Sequence, residues 1–163
     1  MERHDSATDV ATVVHVNGSS TDLPVESDVM LLDALRDRLS LFGTKKGCDQ
    51  GACGSCTVLL DGRSVLSCLV LAVQCDGREV TTVEGLSSGG RLNDLQKAFL
   101  RHDAFQCGAC TPGQLMSATA LLRESGTRSD AEIREYMSGN LCRCGAYPNI
   151  VAAIRDAAVV KGE

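Results

Sequence analysis

The sequence predicts an α+β protein in which a small mixed β-sheet, crossed by one helix, is followed by a bundle of four helices. In the first half, short runs of β-branched residues alternate with Asn-Gly and Asp-Gly turns, a pattern typical of strands. The segment 87–90 is Ser-Ser-Gly-Gly, a composition typical of a linker. Beyond it the apolar residues recur at helical spacing. We therefore predict two domains, over residues 10–86 and 91–160.

Valine-rich runs and turn dipeptides locate the elements of the first half. A strand is predicted over 11–16 and a second near 21–25, joined by a hairpin turn at Asn17-Gly18. One helix follows, and its apolar face is formed by Leu31, Leu32, Leu35 and Leu39. The Gly-rich segment 43–54 is predicted to be a loop. Further strands are predicted over 57–60, 64–73 and 79–83.

The first two helices after the linker are predicted from an apolar face and from a start signal. The apolar face of the first is formed by Leu92, Leu95 and Phe99. Thr111 is the expected N-cap of the second, with Pro112 at its first helical position, and this helix is expected to run to Gly126.

Two further helices complete the predicted bundle. Ser129 and Glu132 form a capping box for a helix that ends at Gly139, and Pro148 opens the last helix. The inward face of that helix is formed by Ile150, Val151, Ile154, Ala157 and Ala158. Short connections between helices favour antiparallel neighbours, as in a bundle.

Composition argues against several classes of protein. The 163 residues carry a formal net charge of −5 and no basic stripe of the kind that phosphate binding requires. No apolar run approaches the roughly 20 residues that span a bilayer. The segment 1–9 is polar and shows neither a signal-peptide pattern nor a twin-arginine pair, so we expect a cytoplasmic protein.

Nine cysteines are the strongest chemical signal in the sequence, and eight of them fall into two sets of four. The first set has the spacing C-x4-C-x2-C-x11-C and comprises Cys48, Cys53, Cys56 and Cys68. The second set has the spacing C-x2-C-x31-C-x-C and comprises Cys107, Cys110, Cys142 and Cys144. Cys75 is left over, and we expect it to be a buried structural thiol.

The first set has the spacing typical of a plant-type [2Fe–2S] cluster. Such a cluster needs four thiolates, two for each iron, so that one tight loop can supply three and a separate element the fourth. Gly47, Gly51 and Gly54 would let the backbone wrap closely and direct N–H groups at the sulfurs. Zinc and disulfides are the alternatives, but structural zinc usually pairs two short Cys knuckles. Lys45 and Lys46 are expected to be a solvated surface pair.

The second set is compatible with two kinds of site. Its cysteines lie in two turns between predicted helices, and a bundle can bring such turns together at one end. Helix N-termini near Pro112 and Pro148 would favour an anionic cluster. From spacing alone both an iron–sulfur cluster and a zinc ion remain open, whereas a redox dithiol would leave the C-x-C pair unexplained.

Three segments together resemble one protein family across about residues 10–160. They are GCDQGACGSCTVLLDG at 47–62, QCGACTPGQ at 106–114 and SGNLCRCGAYPNI at 138–150. On these motifs the chain resembles the iron–sulfur subunit of the molybdenum hydroxylases, the xanthine dehydrogenase and aldehyde oxidoreductase family. Gly145-Ala146 after the last cysteine is similar to the branch that holds bacterial aldehyde oxidoreductase and isoquinoline oxidoreductase, and it makes carbon monoxide dehydrogenase less favoured.

The resemblance implies an N-terminal β-grasp ferredoxin domain of plant type and a C-terminal four-helix bundle, each holding one [2Fe–2S] cluster. Gln106 and Cys144 correspond to residues that lie at the pterin. The chain would then carry electrons from a molybdopterin cofactor on a large subunit, through its two clusters, to FAD on a medium subunit of a heterotrimer, during oxidation of an aldehyde or an N-heterocycle. The competing hypotheses are a free two-cluster ferredoxin-type carrier and a zinc-stabilised binding module.

Overall fold

The computed structural model describes residues 9–87, 89–124 and 129–160. A mixed β-sheet occupies the first half of these residues and helices occupy the second, so the predicted α+β class is confirmed. The strands are β1 (Asp9–Val10), β2 (Val13–Val16), β3 (Ser19–Asp22), β4 (Val25–Glu26), β5 (Thr57–Leu60), β6 (Arg63–Leu66) and β7 (Glu79–Thr81).

The main sheet has the strand order β3-β2-β7-β5-β6, in which β7 lies parallel to β2 and the other neighbours are antiparallel. β1 and β4 form a separate antiparallel pair. The predicted hairpin is confirmed, since Asn17 and Gly18 join β2 to β3 with positive φ angles of 52° and 82°. Such angles are typical of a type I′ turn, whose twist matches that of the strands.

One helical segment crosses the sheet, as expected. It begins as α1 (Leu31–Asp33) and continues over Ala34–Arg38 with the wider π-type winding. Leu31, Leu32 and Leu35 are almost completely buried. This face of the segment closes the core beneath the cysteine-rich loop.

Three of the predicted strands are too long, and the first of them, expected over 11–16, begins only at Val13. The chain leaves β6 after Leu66 and forms two 3₁₀ turns, Ser67–Leu69 and Ala72–Cys75, where 64–73 was expected to be one strand. The reason is non-local: the Ser67 hydroxyl and N–H both donate to the Cys56 carbonyl, which turns the chain toward the cysteine loop. β7 likewise ends at Thr81, two residues before the expected end.

Residues 89–124 and 129–160 contain four α-helices: α2 (Asp94–Arg101), α3 (Thr111–Arg123), α4 (Asp130–Tyr136) and α5 (Tyr147–Val160). The predicted capping box of Ser129 and Glu132 is confirmed. A second capping box, formed by Asn93 and Gln96, starts α2. Because each box satisfies backbone N–H groups that have no partner within the helix, it fixes where the helix begins.

Four details of the helical half differ from prediction. α4 ends at Tyr136, and a 3₁₀ turn covers Met137–Gly139, where one helix was expected to end at Gly139. Leu92 precedes α2 and is exposed, because the Asn93 cap starts the helix after it. Thr111 is the first residue of α3 instead of its N-cap, and Cys110 occupies the cap position. α3 ends at Arg123, because Glu124 adopts an extended conformation; the predicted end at Gly126 lies outside the described residues.

Two buried clusters and a seam between them form the interior. One cluster fills the space between sheet and α1, and the other is shared by α2–α5. At the seam, Leu59 of β5 contacts Met116 and Ala120 of α3. Among the described residues no helix combines the length and the apolar character that crossing a membrane requires.

Candidate iron–sulfur sites

Three cysteines of the first set, Cys48, Cys53 and Cys56, lie on the loop between the helical segment and β5. Gly54 has a φ of 73°, in the left-handed region that glycine adopts without strain. At Gly47 a Cβ atom would stand 2.9 Å from the Cys53 Sγ atom, so only glycine allows this close approach. The backbone of the loop therefore wraps closely around its three thiols, as the sequence predicts.

The fourth thiol of the first set comes from the 3₁₀ turn that replaces the expected strand. The Sγ atoms of Cys68 and Cys56 lie 3.4 Å apart, and both residues are buried. The Cys48 thiol is within hydrogen-bonding reach of the Cys53 thiol. The four thiols of this set thus form two pairs.

Backbone N–H groups and burial act in opposite directions on the first set. The N–H groups of Gln50 and Ala52 lower the pKa of the Cys48 thiol to about 7, and the Ala52 nitrogen lies 3.2 Å from its sulfur. Burial raises the pKa of the Cys56 thiol to about 11. N–H groups that stabilise a thiolate also stabilise a thiolate ligand, because the thiolate is the form that binds metal.

The second set lies on two turns, one before α3 and one before α5. The Sγ atoms of Cys107 and Cys144 lie 3.4 Å apart, and the thiols of Cys110 and Cys142 also contact each other. The Tyr147 hydroxyl accepts a hydrogen bond of 2.8 Å from the Cys142 N–H and fixes the second turn. The structure therefore brings together cysteines that are more than 30 residues apart in sequence.

The same opposition of N–H groups and burial shapes the second set. The Ala109 N–H and the Cys144 thiol lower the pKa of the Cys107 thiol, whereas burial raises the pKa of Cys110 to about 12. Burial acts to raise the pKa of Cys142, but N–H groups, led by that of Ala146, hold it below the ordinary thiol value. Each set thus contains at least one thiol that is stabilised as a thiolate and one whose pKa burial raises.

The paired arrangement matters for the kind of metal site. A structural zinc ion takes four ligands in a single tetrahedral shell. Two pairs of thiols in each set instead fit a cluster of two irons, each of which takes two thiolates.

Both sets face one cavity of about 500 Å³. It is lined from the first set by Cys48 and Cys53, and from the second by Cys107, Cys110 and Cys142. Cys107 is exposed on the outer side of this region, and Cys144 is half-buried. The two sets are therefore neighbours across the seam, with the second set nearer the outer surface.

Asn140 and Gln114 connect the two sets, and the sequence reasoning missed both. Asn140 is 6% exposed, and its amide donates to the Gly54 carbonyl of the first loop. Gln114, 1% exposed, donates to the Asn140 carbonyl over 2.7 Å. The available signal was a polar residue on the apolar face of α3, since buried amides need partners.

The other residues singled out by the sequence have simpler surroundings. Cys75 is completely buried within the sheet core, as predicted. Lys46 forms ion pairs with Asp33 and Asp49 at the surface, and these partners raise its pKa. The Lys45 ammonium donates to the Phe42 carbonyl. Gln106 is exposed next to Cys107.

Two family models match the chain and together cover most of it. Residues 14–87 match a 2Fe-2S iron-sulfur cluster binding domain, and residues 82–155 match a [2Fe-2S] binding domain. Each match contains one complete cysteine set. The two models support two [2Fe–2S] clusters in this chain, in place of the zinc alternative that spacing alone leaves open.

Relatives match over nearly the whole chain. The aldehyde oxidoreductase iron-sulfur-binding subunit PaoA of Escherichia coli K12 is 52% identical, over 88% of this chain and 69% of that protein. The nicotine 6-hydroxylase small subunit of Paenarthrobacter nicotinovorans is 51% identical, over 88% and 87%. The crystal structure of quinoline 2-oxidoreductase from Pseudomonas putida 86 contains a chain with a TM-score of 0.92 and 49% identity, and 96% of each chain is covered.

Proposed function

The chain belongs to the iron–sulfur subunits of the molybdenum hydroxylases, and on that premise we propose that it is the electron-transfer subunit of a heterotrimeric hydroxylase or dehydrogenase. It carries electrons from a molybdopterin centre on a large subunit to FAD on a medium subunit. The single observation that supports this proposal best is the common cavity, which places two four-thiol sets side by side.

We propose a division into two domains over 10–86 and 91–160, the first a β-grasp ferredoxin domain and the second a four-helix bundle. The parallel pairing of β2 with β7 in the middle of the sheet supports the β-grasp assignment. A common core shared by α2–α5 supports the bundle. The two family models also meet near the proposed linker, at residues 82–87.

The proposed ligands are the eight cysteines of the two sets. The first cluster is held by Cys48, Cys53, Cys56 and Cys68. The second cluster is held by Cys107, Cys110, Cys142 and Cys144. When bound, each [2Fe–2S] cluster accepts and donates one electron. The chain itself contributes the thiolates, the N–H donors that stabilise them and the burial that limits water access, and these set the reduction potential.

The outer surface of the second set is the proposed contact with the pterin. Gln106 and Cys107 are exposed there, and Cys144 is half-buried. A side-chain amide offers both donors and an acceptor to a pterin edge. The first set then faces the flavin subunit, and the exposed Phe42 and Leu69 near its loop offer that subunit an apolar surface.

The substrate is proposed to be an aldehyde or an N-heterocycle. The relatives that carry this proposal are named for aldehyde, nicotine and quinoline oxidation. Specificity would lie on the molybdenum subunit, because this chain is responsible for passing electrons and not for binding substrate. We retain the predicted cytoplasmic location as part of the proposal, and cell fractionation tests it.

Affinity capture of this chain from its native host tests the proposal directly. We expect two larger subunits to co-elute with molybdenum, with FAD and with four irons per chain, two for each of two clusters. The captured partners then supply the complex for screening aldehydes and N-heterocycles. A brown protein that elutes alone with iron but no molybdenum would instead indicate a free two-cluster carrier, and a colourless zinc protein would contradict both.

A further inference from the structure

A buried side-chain amide fastens the loop of the first cysteine set to the turn of the second. The Asn140 Nδ2 donates to the Gly54 carbonyl over 3.0 Å and approaches the Thr57 hydroxyl at 3.3 Å. Asn140 belongs to the segment just before Cys142, whereas Gly54 directly follows Cys53. The contact therefore joins residues within two positions of one thiol from each set.

Asn140 is itself held in place from the helical side. Its backbone carbonyl accepts a hydrogen bond of 2.7 Å from the Gln114 side chain on α3, and its backbone N–H donates to the Met137 carbonyl over 2.9 Å. Because both amides are buried, losing a partner would leave a polar group without solvent. The Asn140 side chain is therefore confined to one orientation.

The next residue makes the consequential contact. The Leu141 N–H donates to the Cys53 carbonyl over 2.9 Å, and Leu141 is covalently bonded to Cys142. A continuous path of covalent bonds and this one hydrogen bond thus runs from the Cys53 sulfur to the Cys142 sulfur. The two thiols it joins belong to different sets.

Close backbone contact keeps this path short. At Gly113, in the first turn of α3, a Cβ atom would overlap the Gly54 carbonyl oxygen. At Gly54 a Cβ atom would meet the Gly139 carbonyl oxygen and the Asn140 side chain. The loop and the two helical segments are in direct contact here, and the Asn140–Gly54 and Leu141–Cys53 hydrogen bonds join consecutive residues on both sides of that contact.

We propose that Asn140 is a positioning residue for electron transfer between the two clusters, because it holds the Cys53–Leu141 hydrogen bond through which the electron passes. This inference rests on the proposed function, in which both sets hold clusters. One electron leaves the cluster on the second set, which is oxidised, and enters the cluster on the first set, which is reduced. No bond forms or breaks, and no proton moves.

The test is the substitution Asn140→Asp in the full chain with both clusters in place. Aspartate has nearly the same shape but presents only oxygen to the Gly54 carbonyl, so the fastening contact becomes repulsive. Loss of the fastening contact weakens the electronic coupling across the Cys53–Leu141 hydrogen bond, so we expect transfer between clusters after pulsed one-electron reduction to slow by about tenfold, equivalent to about 1.4 kcal/mol in the activation free energy. The magnetic splitting between the two reduced clusters in the EPR spectrum should also weaken.

Asn149→Ala is the matched control. The Asn149 amide also donates to a distant carbonyl, that of Asp103, but this bond lies within the helical half. We expect wild-type transfer and splitting in this variant. The Asn140→Asp variant should retain four irons per chain, and the spectrum and potential of each cluster should be unchanged. These results would show that the thiol ligands are intact, whereas a merely structural defect would disturb them.

A wild-type transfer rate in Asn140→Asp with both clusters present would overturn the proposal. If that variant loses a cluster, Asn140→Ala provides the measurement, since it removes the amide donor without adding a charge, while the Thr57 hydroxyl still donates to the Gly54 carbonyl. Slower transfer in Asn140→Ala would support the proposal, and a wild-type rate would overturn it. Failure of the proposed function is separate: the wild-type chain would then lack two clusters or leave the flavin subunit unreduced.

Discussion

The two cysteine sets reach similar paired arrangements by different routes. In the first set, three thiols lie on one short Gly-rich loop and the fourth comes from the turn after β6. In the second set, two thiols come from each of two turns that only the docking of helices brings together. The first site thus depends mainly on local chain geometry, and the second depends on the packing of α3 and α5.

The sets also differ in exposure. In the first set Cys56 and Cys68 are buried and the other two thiols are half-buried, whereas in the second Cys107 is exposed. Solvent exposure and hydrogen bonds to sulfur both change the potential of an iron–sulfur cluster. We therefore expect clusters held by the two sets to differ in reduction potential.

Removing a ligand should have the largest effect and tests whether the sites are independent. We expect Cys56→Ser to abolish one EPR-active centre and leave the other, because the sets share no thiol. Iron analysis and low-temperature EPR measure this. Cys75→Ser is the control and should retain all iron, since Cys75 lies in the sheet core away from both sets. Loss of both centres in Cys56→Ser would break the separation into two sites.

The packing between the two regions is the next most sensitive feature. Gly113→Ala should lower the free energy of unfolding by about 1–3 kcal/mol, because its Cβ overlaps the Gly54 carbonyl and overpacking costs this much. Thermal and denaturant unfolding measure it.

Gly139→Ala is the matched control for this substitution. Gly139 also lies at the seam, but a Cβ there meets nothing within 4 Å, so we expect a change within about 0.5 kcal/mol. Equal effects of the two substitutions would show that close contact at Gly54 contributes nothing to holding the regions together.

A smaller effect on electron transfer is expected from a substitution on the exposed side of the second set. We expect Gln106→Ala to slow reduction of the clusters by substrate about five- to tenfold, the equivalent of one lost hydrogen bond in the complex. Stopped-flow reduction of the complex measures this, with cluster spectra unchanged. Wild-type kinetics would remove Gln106 from the proposed pterin contact.

Surface ion pairs give the smallest expected effect, and each region has one to compare. Arg101 and His102 lower the pKa of Asp156 in the helical half. In the sheet half, the Glu79 N–H and Arg78 lower the pKa of Asp61. A lowered carboxyl pKa stabilises the folded state above the unfolded pKa of about 3.9, and this contribution is lost as pH falls through the folded value.

Melting curves of Asp156→Asn and Asp61→Asn against wild type check this sign. We expect a small deficit in melting temperature for each variant between pH 5 and 7, as the exposure of both pairs and their screening by salt keep it small. The deficit should begin to shrink below about pH 4, where the unfolded state takes up a proton, and should vanish once the pH also falls below the lowered pKa of the folded carboxyl. If the deficit in melting temperature instead grew as the pH fell, these carboxyl groups would not have lowered pKa values in the folded protein.

Local chemistry made much of the fold predictable. The Asn17-Gly18 turn and the capping box at Ser129 are short-range signals, because their hydrogen bonds join residues within four positions. The strand predicted over 64–73 was wrong because a long-range contact decides the structure of this segment. Its apolar residues resemble a strand, but the distant Cys56 carbonyl draws Ser67 into a turn. No pattern within the segment itself carries that information.

The candidate site divides in the same way. Spacing was enough to group eight cysteines into two sets, since ligands on one loop must be close in sequence. It did not reveal that Cys107 meets Cys144 or that both sets share a cavity. Nor did it identify Asn140, because an isolated Asn in a turn is ordinary until its partner at Gly54 is known.

The sequence by itself determined the family, the iron–sulfur chemistry expected of the first cysteine set and most helix and strand types, because thiol spacing, turn dipeptides and helix caps act over a few residues. Only the tertiary structure decided which thiols pair, how close the two sets lie and which side chains fasten them. These depend on contacts between residues tens of positions apart, whose meeting is governed by the packing of sheet against helices and not by any local preference.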